Sequence, residues 1–136
     1  MDMVPYLNFN GNCAEAFKFY EKALGGKITQ TMTWGDTPGK DHVPATWHGK
    51  VMHTALEVGG RSLFGSDGGP TDYKAPAGMS VALTAATVAE GKKAFDALSA
   101  GGNVTMQFEK TFWSPGFGSL VDRFGIPWMI NVAPAA

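Results

Sequence analysis

The stretch Asn12-Cys13-Ala14-Glu15-Ala16-Phe17-Lys18-Phe19-Tyr20-Glu21 is answered 75 residues later by Thr87-Val88-Ala89-Glu90-Gly91-Lys92-Lys93-Ala94-Phe95-Asp96. Each copy opens on a residue able to cap a helix and places a glutamate three positions on. In that arrangement side chains and backbone N–H groups satisfy one another at a helix start. Ala14/Ala89, Glu15/Glu90, Lys18/Lys93, Tyr20/Phe95 and Glu21/Asp96 agree in register. A second echo, about 65 residues apart, sets Leu56-Glu57-Val58-Gly59-Gly60 against Val121-Asp122-Arg123-Phe124-Gly125. Self-similarity on this scale predicts two copies of one helix-plus-sheet module.

A chain of 136 residues has room for two such modules in a single domain, and its 44% apolar and 17% charged residues suit an ordinary globular core. No apolar run approaches the ~20 residues that span a bilayer, so no membrane partner is expected. Eleven basic residues against 12 acidic give a net charge of −1, and the longest basic cluster is Lys92-Lys93. That is no footprint for nucleic acid, which calls for a basic patch or stripe. The single cysteine excludes an internal disulfide framework. With an N-terminus lacking a signal-like segment, it leads to an expected cytoplasmic location.

Around the repeated helix the pattern is regular. Tyr6 to Asn10 alternates as a strand, and the helix of residues 13–24 places Ala16, Phe19, Tyr20, Ala23 and Leu24 on one face before Gly25-Gly26 stops it. Lys27 to Trp34 is a strand, and Gly35 to Lys50 is a long loop rich in proline and glycine. Val51 to Val58 and Arg61 to Ser66 form a hairpin about Gly59-Gly60. The second module repeats the order with a strand over 79–85, a helix over 88–100, a strand over 104–110 and a hairpin over 117–132. The prediction is an α+β fold of two paired βαβββ modules with curled mixed sheets. Module 1 spans about 1–66 and module 2 about 79–136, joined by a loop over 67–78 within a single domain.

The stretch Tyr6-Leu7-Asn8-Phe9-Asn10-Gly11-Asn12-Cys13-Ala14-Glu15-Ala16, with Phe19-Tyr20 and Leu24-Gly25, resembles the opening of the vicinal oxygen chelate superfamily. That superfamily includes glyoxalases, bleomycin-resistance proteins and extradiol dioxygenases. Val51-Met52-His53-Thr54-Ala55-Leu56, Thr111-Phe112-Trp113-Ser114-Pro115-Gly116-Phe117-Gly118 and Asp122-Arg123-Phe124-Gly125-Ile126-Pro127-Trp128 resemble its PhnB-like branch, often labelled a demethylubiquinone methyltransferase. The resemblance covers essentially the whole chain. It implies sheets whose concave faces line a cavity and whose convex faces receive the helices. In many members a divalent metal sits in that cavity, held by His and Glu from four strand positions.

Those four positions fall here near Pro5 or Tyr6, near Leu63 or Phe64, near Ser80 and near Met129. None offers the imidazole or carboxylate that such a metal prefers. No cofactor is therefore expected, with a divalent metal held by some other set of side chains kept as an alternative. The methyltransferase label also lacks the glycine-rich strand–loop–helix that a nucleotide-type cofactor takes.

Three histidines remain. His53 shares a strand face with Val51, Ala55 and Glu57. Met52, Thr54, Leu56 and Val58 form the more apolar face that a helix needs, so His53 is expected to face away from it. There it is either a histidine hydrogen-bonded within a polar groove or a ligand-contacting acid–base group. His42 and His48, near Asp36 and Asp41, read as part of a solvated loop. Cys13, in the first helical turn, reads as a buried structural thiol. Gly65-Ser66-Asp67-Gly68-Gly69-Pro70 lacks the lysine of a phosphate loop and reads as a connection. Phe112 and Trp113 are either a plug between modules or one wall of an apolar pocket.

The expected ligand-binding residues are thus Tyr6, Asn8, His53, Phe64, Ser80, Trp113, Met129 and Asn131. For Ser80 the repeat and the polarity of its strand disagree by one residue, which exchanges the faces. Two functions stay open. One is a metal-free small-molecule binding protein; the other is an enzyme of the superfamily using His53. A homodimer is expected, because open sheet edges tend to be paired or covered and the resembling family commonly completes its cavities across a dimer.

Overall fold

The computed structural model describes residues 1–135. The chain divides into two compact units, the first from Met1 to Lys74 and the second from Ala75 onward. The first contains β1 (Tyr6–Phe9), α1 (Cys13–Leu24), β2 (Lys27–Thr33), β3 (Val51–Val58) and β4 (Arg61–Asp67). The second contains β5 (Val81–Ala85), α2 (Val88–Ser99), β6 (Asn103–Glu109), β7 (Phe117–Val121) and β8 (Pro127–Val132). Each is the expected βαβββ module, and each sheet is four-stranded and mixed. The orders are β1-β4-β3-β2 and β5-β8-β7-β6, with the first strand parallel to the last and the other pairs antiparallel.

The repeat extends to local irregularities. The β2–β3 ladder shifts between Ile28 and Gln30, and the β6–β7 ladder shifts between Val104 and Met106. Such bulges bend and twist a sheet. Both hairpins turn on positive-φ glycines, Gly59 and Gly60 in the first and Gly125 in the second. The backbone N–H of Asp122 donates to the Ile126 carbonyl at 2.9 Å, leaving a three-residue loop where the first module uses two.

Each helix covers one sheet face. On α1 the buried residues are Cys13, Ala16, Phe17 and Tyr20. Phe17, not the expected Phe19, is the fully buried ring, because the stripe runs through positions 13, 16, 17 and 20. Opposite it lie Leu7, Phe9, Thr54, Leu56 and Leu63, all buried. Gly65 sits so close beneath the helix that a Cβ there would collide with the Phe17 ring. In the second unit Phe95 and Leu98 pack on Leu120, Trp128, Ile130 and Val132, all buried. Burying each such large side chain contributes about 1.5–3 kcal/mol.

The two helix starts are built differently. Thr87 caps α2 conventionally, its side chain accepting from the Glu90 N–H at 3.1 Å. Asn12 makes no side-chain cap on α1, contrary to expectation. The buried carboxylate of Asp67, at the end of β4, takes over: its Oδ1 accepts from the N–H groups of Gly11 at 2.8 Å and Cys13 at 3.0 Å. Its Oδ2 accepts from the Val51 N–H at 3.0 Å.

The 35–50 loop is more ordered than its composition suggests. It contains two 3₁₀ turns, Pro38–His42 and Ala45–Trp47. The indoles of Trp34 and Trp47 donate to the carbonyls of Asp67 at 2.9 Å and Gly68 at 2.7 Å, which ties the loop to the end of β4.

Candidate functional site

Side chains alternate across a strand, so the residues between those under α1 face the other way. Tyr6 pairs with Phe64, and Phe64 with Ala55, which puts all three on the helix-free face of the first sheet. His53, two residues before Ala55, shares that face. The Tyr6 hydroxyl lies 3.0 Å from His53 Nδ1. The His53 ring centroid is 5.6 Å from that of Tyr6 and 5.1 Å from that of Phe64, the latter edge-on. The Tyr6 and Phe64 rings are themselves edge-on at 6.2 Å. Tyr6 is 44% exposed and His53 and Phe64 are half-buried, so the cluster is reachable from solvent.

Asn8 follows on the same face, opposite Ser66. The buried Ser66 hydroxyl donates to Asn8 Oδ1 at 3.4 Å. Beside Asn8 an open pocket of about 300 Å³ is lined in part by Asp72, Tyr73 and Lys74. Sequence reasoning passed over Ser66, although its position two residues after Phe64 was the signal that it shares the face.

The corresponding face of the second unit has other chemistry. Strand pairing makes Ala82 the counterpart of Tyr6, Met129 that of Phe64 and Phe117 that of His53. Phe117 is buried, with Trp113 packed on it at 5.4 Å and Phe112 against Trp113 at 4.7 Å. Asn131 lies opposite both Thr84 and Phe117, and its buried Oδ1 has no hydrogen-bond partner among the described residues.

Ser80 lies just before β5, which begins at Val81, and is exposed. The residue facing as Tyr6 does is Ala82. Residues 10–12 separate strand from helix in the first module but only 86 and 87 in the second. The helices therefore repeat at 75 residues, while the strands before them repeat at 76. Polarity was the better guide than the helix register.

Other sequence candidates are structural. Burial, reinforced by the neighbouring Asp67 carboxylate, pushes the Cys13 thiol pKa well up, so the thiol stays protonated and unreactive. His48 Nε2 lies 3.1 Å from the Lys40 carbonyl, within the loop itself. Among the described residues no three His, Cys, Asp or Glu side chains come together as a metal site. Among the described residues no helix is long and apolar enough to cross a membrane.

The sequence and fold have relatives. The model of the family described as 3-demethylubiquinone-9 3-methyltransferase matches residues 1–131. Protein YjdN of Escherichia coli (strain K12) is 34% identical over 140 residues, covering 97% of this chain and 95% of that one. The crystal structure of protein PA1353 from Pseudomonas aeruginosa superposes with a TM-score of 0.88 at 43% identity, covering 97% of each chain. The putative 3-demethylubiquinone-9 3-methyltransferase, PhnB protein, from Bacillus cereus shares the fold with a TM-score of 0.80 at 22% identity, covering 98% of this chain and all of that one. The chain belongs to this family described as 3-demethylubiquinone-9 3-methyltransferase, and its fold is glyoxalase/bleomycin-resistance-like.

Proposed function

We propose that this protein binds a small molecule on the helix-free faces of its sheets, without the metal of its superfamily. The observation that carries the reading is the Tyr6–His53 hydrogen bond at 3.0 Å, flanked by the Phe64 ring and open to solvent. A few convergent polar groups set among aromatic surface is the usual composition of a ligand site. Asn8 extends the polar part of the site in the first unit. Trp113, Met129 and Asn131, with Ser80 at the margin, are the candidate residues on the second unit's own helix-free face. The unpartnered Asn131 Oδ1 is suited to a donor on a ligand.

The metal-free part of the proposal rests on donor chemistry. Tyr6, Phe64 and Met129, with Ala82 or Ser80 at the third position, present phenol, phenyl, thioether and methyl or hydroxyl groups. These do not fit a divalent ion that prefers imidazole and carboxylate. His53 alone, with Nδ1 engaged by Tyr6, is one ligand and no site. The family's description names a methyl transfer, but nothing in these side chains supports that activity here. We place the protein in the cytoplasm, on the evidence of its single, buried thiol.

The test is a fragment screen against protein purified without metal columns, with elemental analysis of the same sample. The proposal expects saturable binding that His53→Ala weakens by about 1–3 kcal/mol, the cost of an unmet buried partner, with the unfolding midpoint nearly unchanged. Stoichiometric transition metal would overturn the metal-free reading. Turnover of a bound compound that is lost in His53→Ala would select the enzyme reading instead.

A further inference from the structure

We infer that the first unit's site is a donor site, selecting small molecules that present a carboxylate or similar oxyanion beside an apolar body. The inference rests on the binding role proposed above and follows from which hydrogen atoms the site has left to give. A neutral imidazole has one N–H donor and one acceptor nitrogen, and the bond made at one nitrogen fixes the role of the other. The Tyr6 phenol donates naturally to His53 Nδ1, 3.0 Å away. The ring proton then sits on Nε2, which has no partner among the described residues. Protonating the ring would add a hydrogen at Nδ1 and turn the phenol into an acceptor, but Nε2–H stays a donor in both states.

Asn8 points to the same conclusion. Its Oδ1 takes the Ser66 hydroxyl, so the Nδ2 hydrogens are what it has to offer. Two strands on either side of β4, β1 and β3, therefore present N–H groups from one face. The charged surroundings are sparse. Beside His53, β1 contributes Tyr6, β4 contributes Phe64 and β2 contributes Met32, none of them charged. On β3 itself Glu57 lies four residues on, roughly 13 Å along the strand, and it pairs across the ladder with Lys27. Beyond Asn8, Asp72 and Lys74 bring opposite charges to one pocket. Among these strand neighbours no carboxylate stands beside His53, and at Asn8 the Asp72 carboxylate is matched by the Lys74 ammonium in the same pocket. The Tyr6 and Phe64 rings, 6.2 Å apart, supply the apolar flank. In this arrangement Tyr6 is a positioning residue, acting through His53.

Long-range ¹H–¹⁵N spectra of the ¹⁵N-labelled full chain read the tautomer directly. The expected result is protonated Nε2 in His53, with the bias lost in Tyr6→Phe. Titration with benzoate should shift the His53 ring signals saturably, while benzylamine at equal concentration should not. His53→Ala should weaken benzoate about tenfold, within the range for losing one hydrogen bond to a charged group. His53→Gln, which keeps an N–H donor, should recover part of that loss. A proton on Nδ1, or benzylamine binding at His53 in preference to benzoate, overturns the donor assignment but leaves a small-molecule site standing. If benzoate, benzyl alcohol and benzylamine all leave Tyr6, His53 and Phe64 undisturbed, the binding role falls as well.

Discussion

Asp67 stands in for the N-cap of α1, its carboxylate 3.0 Å from the Cys13 N–H across 54 residues of sequence. It also holds the N–H groups of Gly11 and Val51, so one side chain joins the start of the helix to the start of β3 and the end of β4.

Removing that carboxylate should be severe. Asp67→Ala strands three N–H groups, two of them in fully buried bonds, and each unmet buried donor costs about 1–3 kcal/mol. A loss of about 3–5 kcal/mol is expected by urea unfolding. Asp67→Asn should also destabilise, because one of its two terminal positions becomes an N–H donor facing another donor. A loss below about 1 kcal/mol for Asp67→Ala would contradict this role.

The thiol of Cys13 links stability to alkaline pH. Burial first, and the Asp67 carboxylate second, raise its pKa in the fold. The unfolded thiol ionises near ~8.5. Below that value both states carry the proton and nothing is lost. Above it the unfolded chain releases a proton that the fold keeps, so stability falls as pH rises, by up to about 1.4 kcal/mol per pH unit. Chemical unfolding at pH 7, 9 and 10 should show the decline, and Cys13→Ala should flatten it. A thiol reagent should label the native protein only through unfolding.

Gly65 is a packing requirement. A Cβ there would strike the Phe17 ring, which is fully buried and cannot swing aside. Gly65→Ala should cost about 1–3 kcal/mol, the usual range for an overpacked core. Combined with Phe17→Leu, the two costs should sum to less than their separate values. Strict additivity would mean that the contact is not the cause.

A homodimer is the expected assembly. β1 and β2 are the two edges of the first sheet, and β5 and β6 those of the second. Unpaired edges are usually covered. Light scattering should give about twice the 14.4 kDa chain mass at all working concentrations. A monomer throughout would exclude it.

The sequence made the architecture readable because periodicity and turn chemistry agreed. The Gly25, Gly59–Gly60 and Gly125 positions carry the positive φ angles that their turns require. His53 could be assigned to the helix-free face because its neighbours Thr54 and Leu56 form the buried one. What could not be read was long-range. Nothing local marks Asp67 as the partner of Gly11 and Cys13, so Asn12 looked like the cap. The repeat register misled at β5 for a related reason: the connection before α2 is one residue shorter than that before α1, which changes the face each strand residue presents, and alignment through the helix does not register it.

The contrast between Tyr6, His53 and Phe64 in one module and Ala82, Phe117 and Met129 in the other has an evolutionary meaning. After a duplication, both copies inherit the same obligation to seat a helix, and the Leu56/Leu120 positions still honour it with a buried leucine. The alternate residues carry no such debt to α1 or α2. Substitution there can explore recognition chemistry while the helix–sheet seam is left intact; one copy carries phenol and imidazole and the other aromatic and thioether groups. New specificity in this lineage is then expected to arise by changing positions of one strand parity, with the opposite parity held nearly fixed.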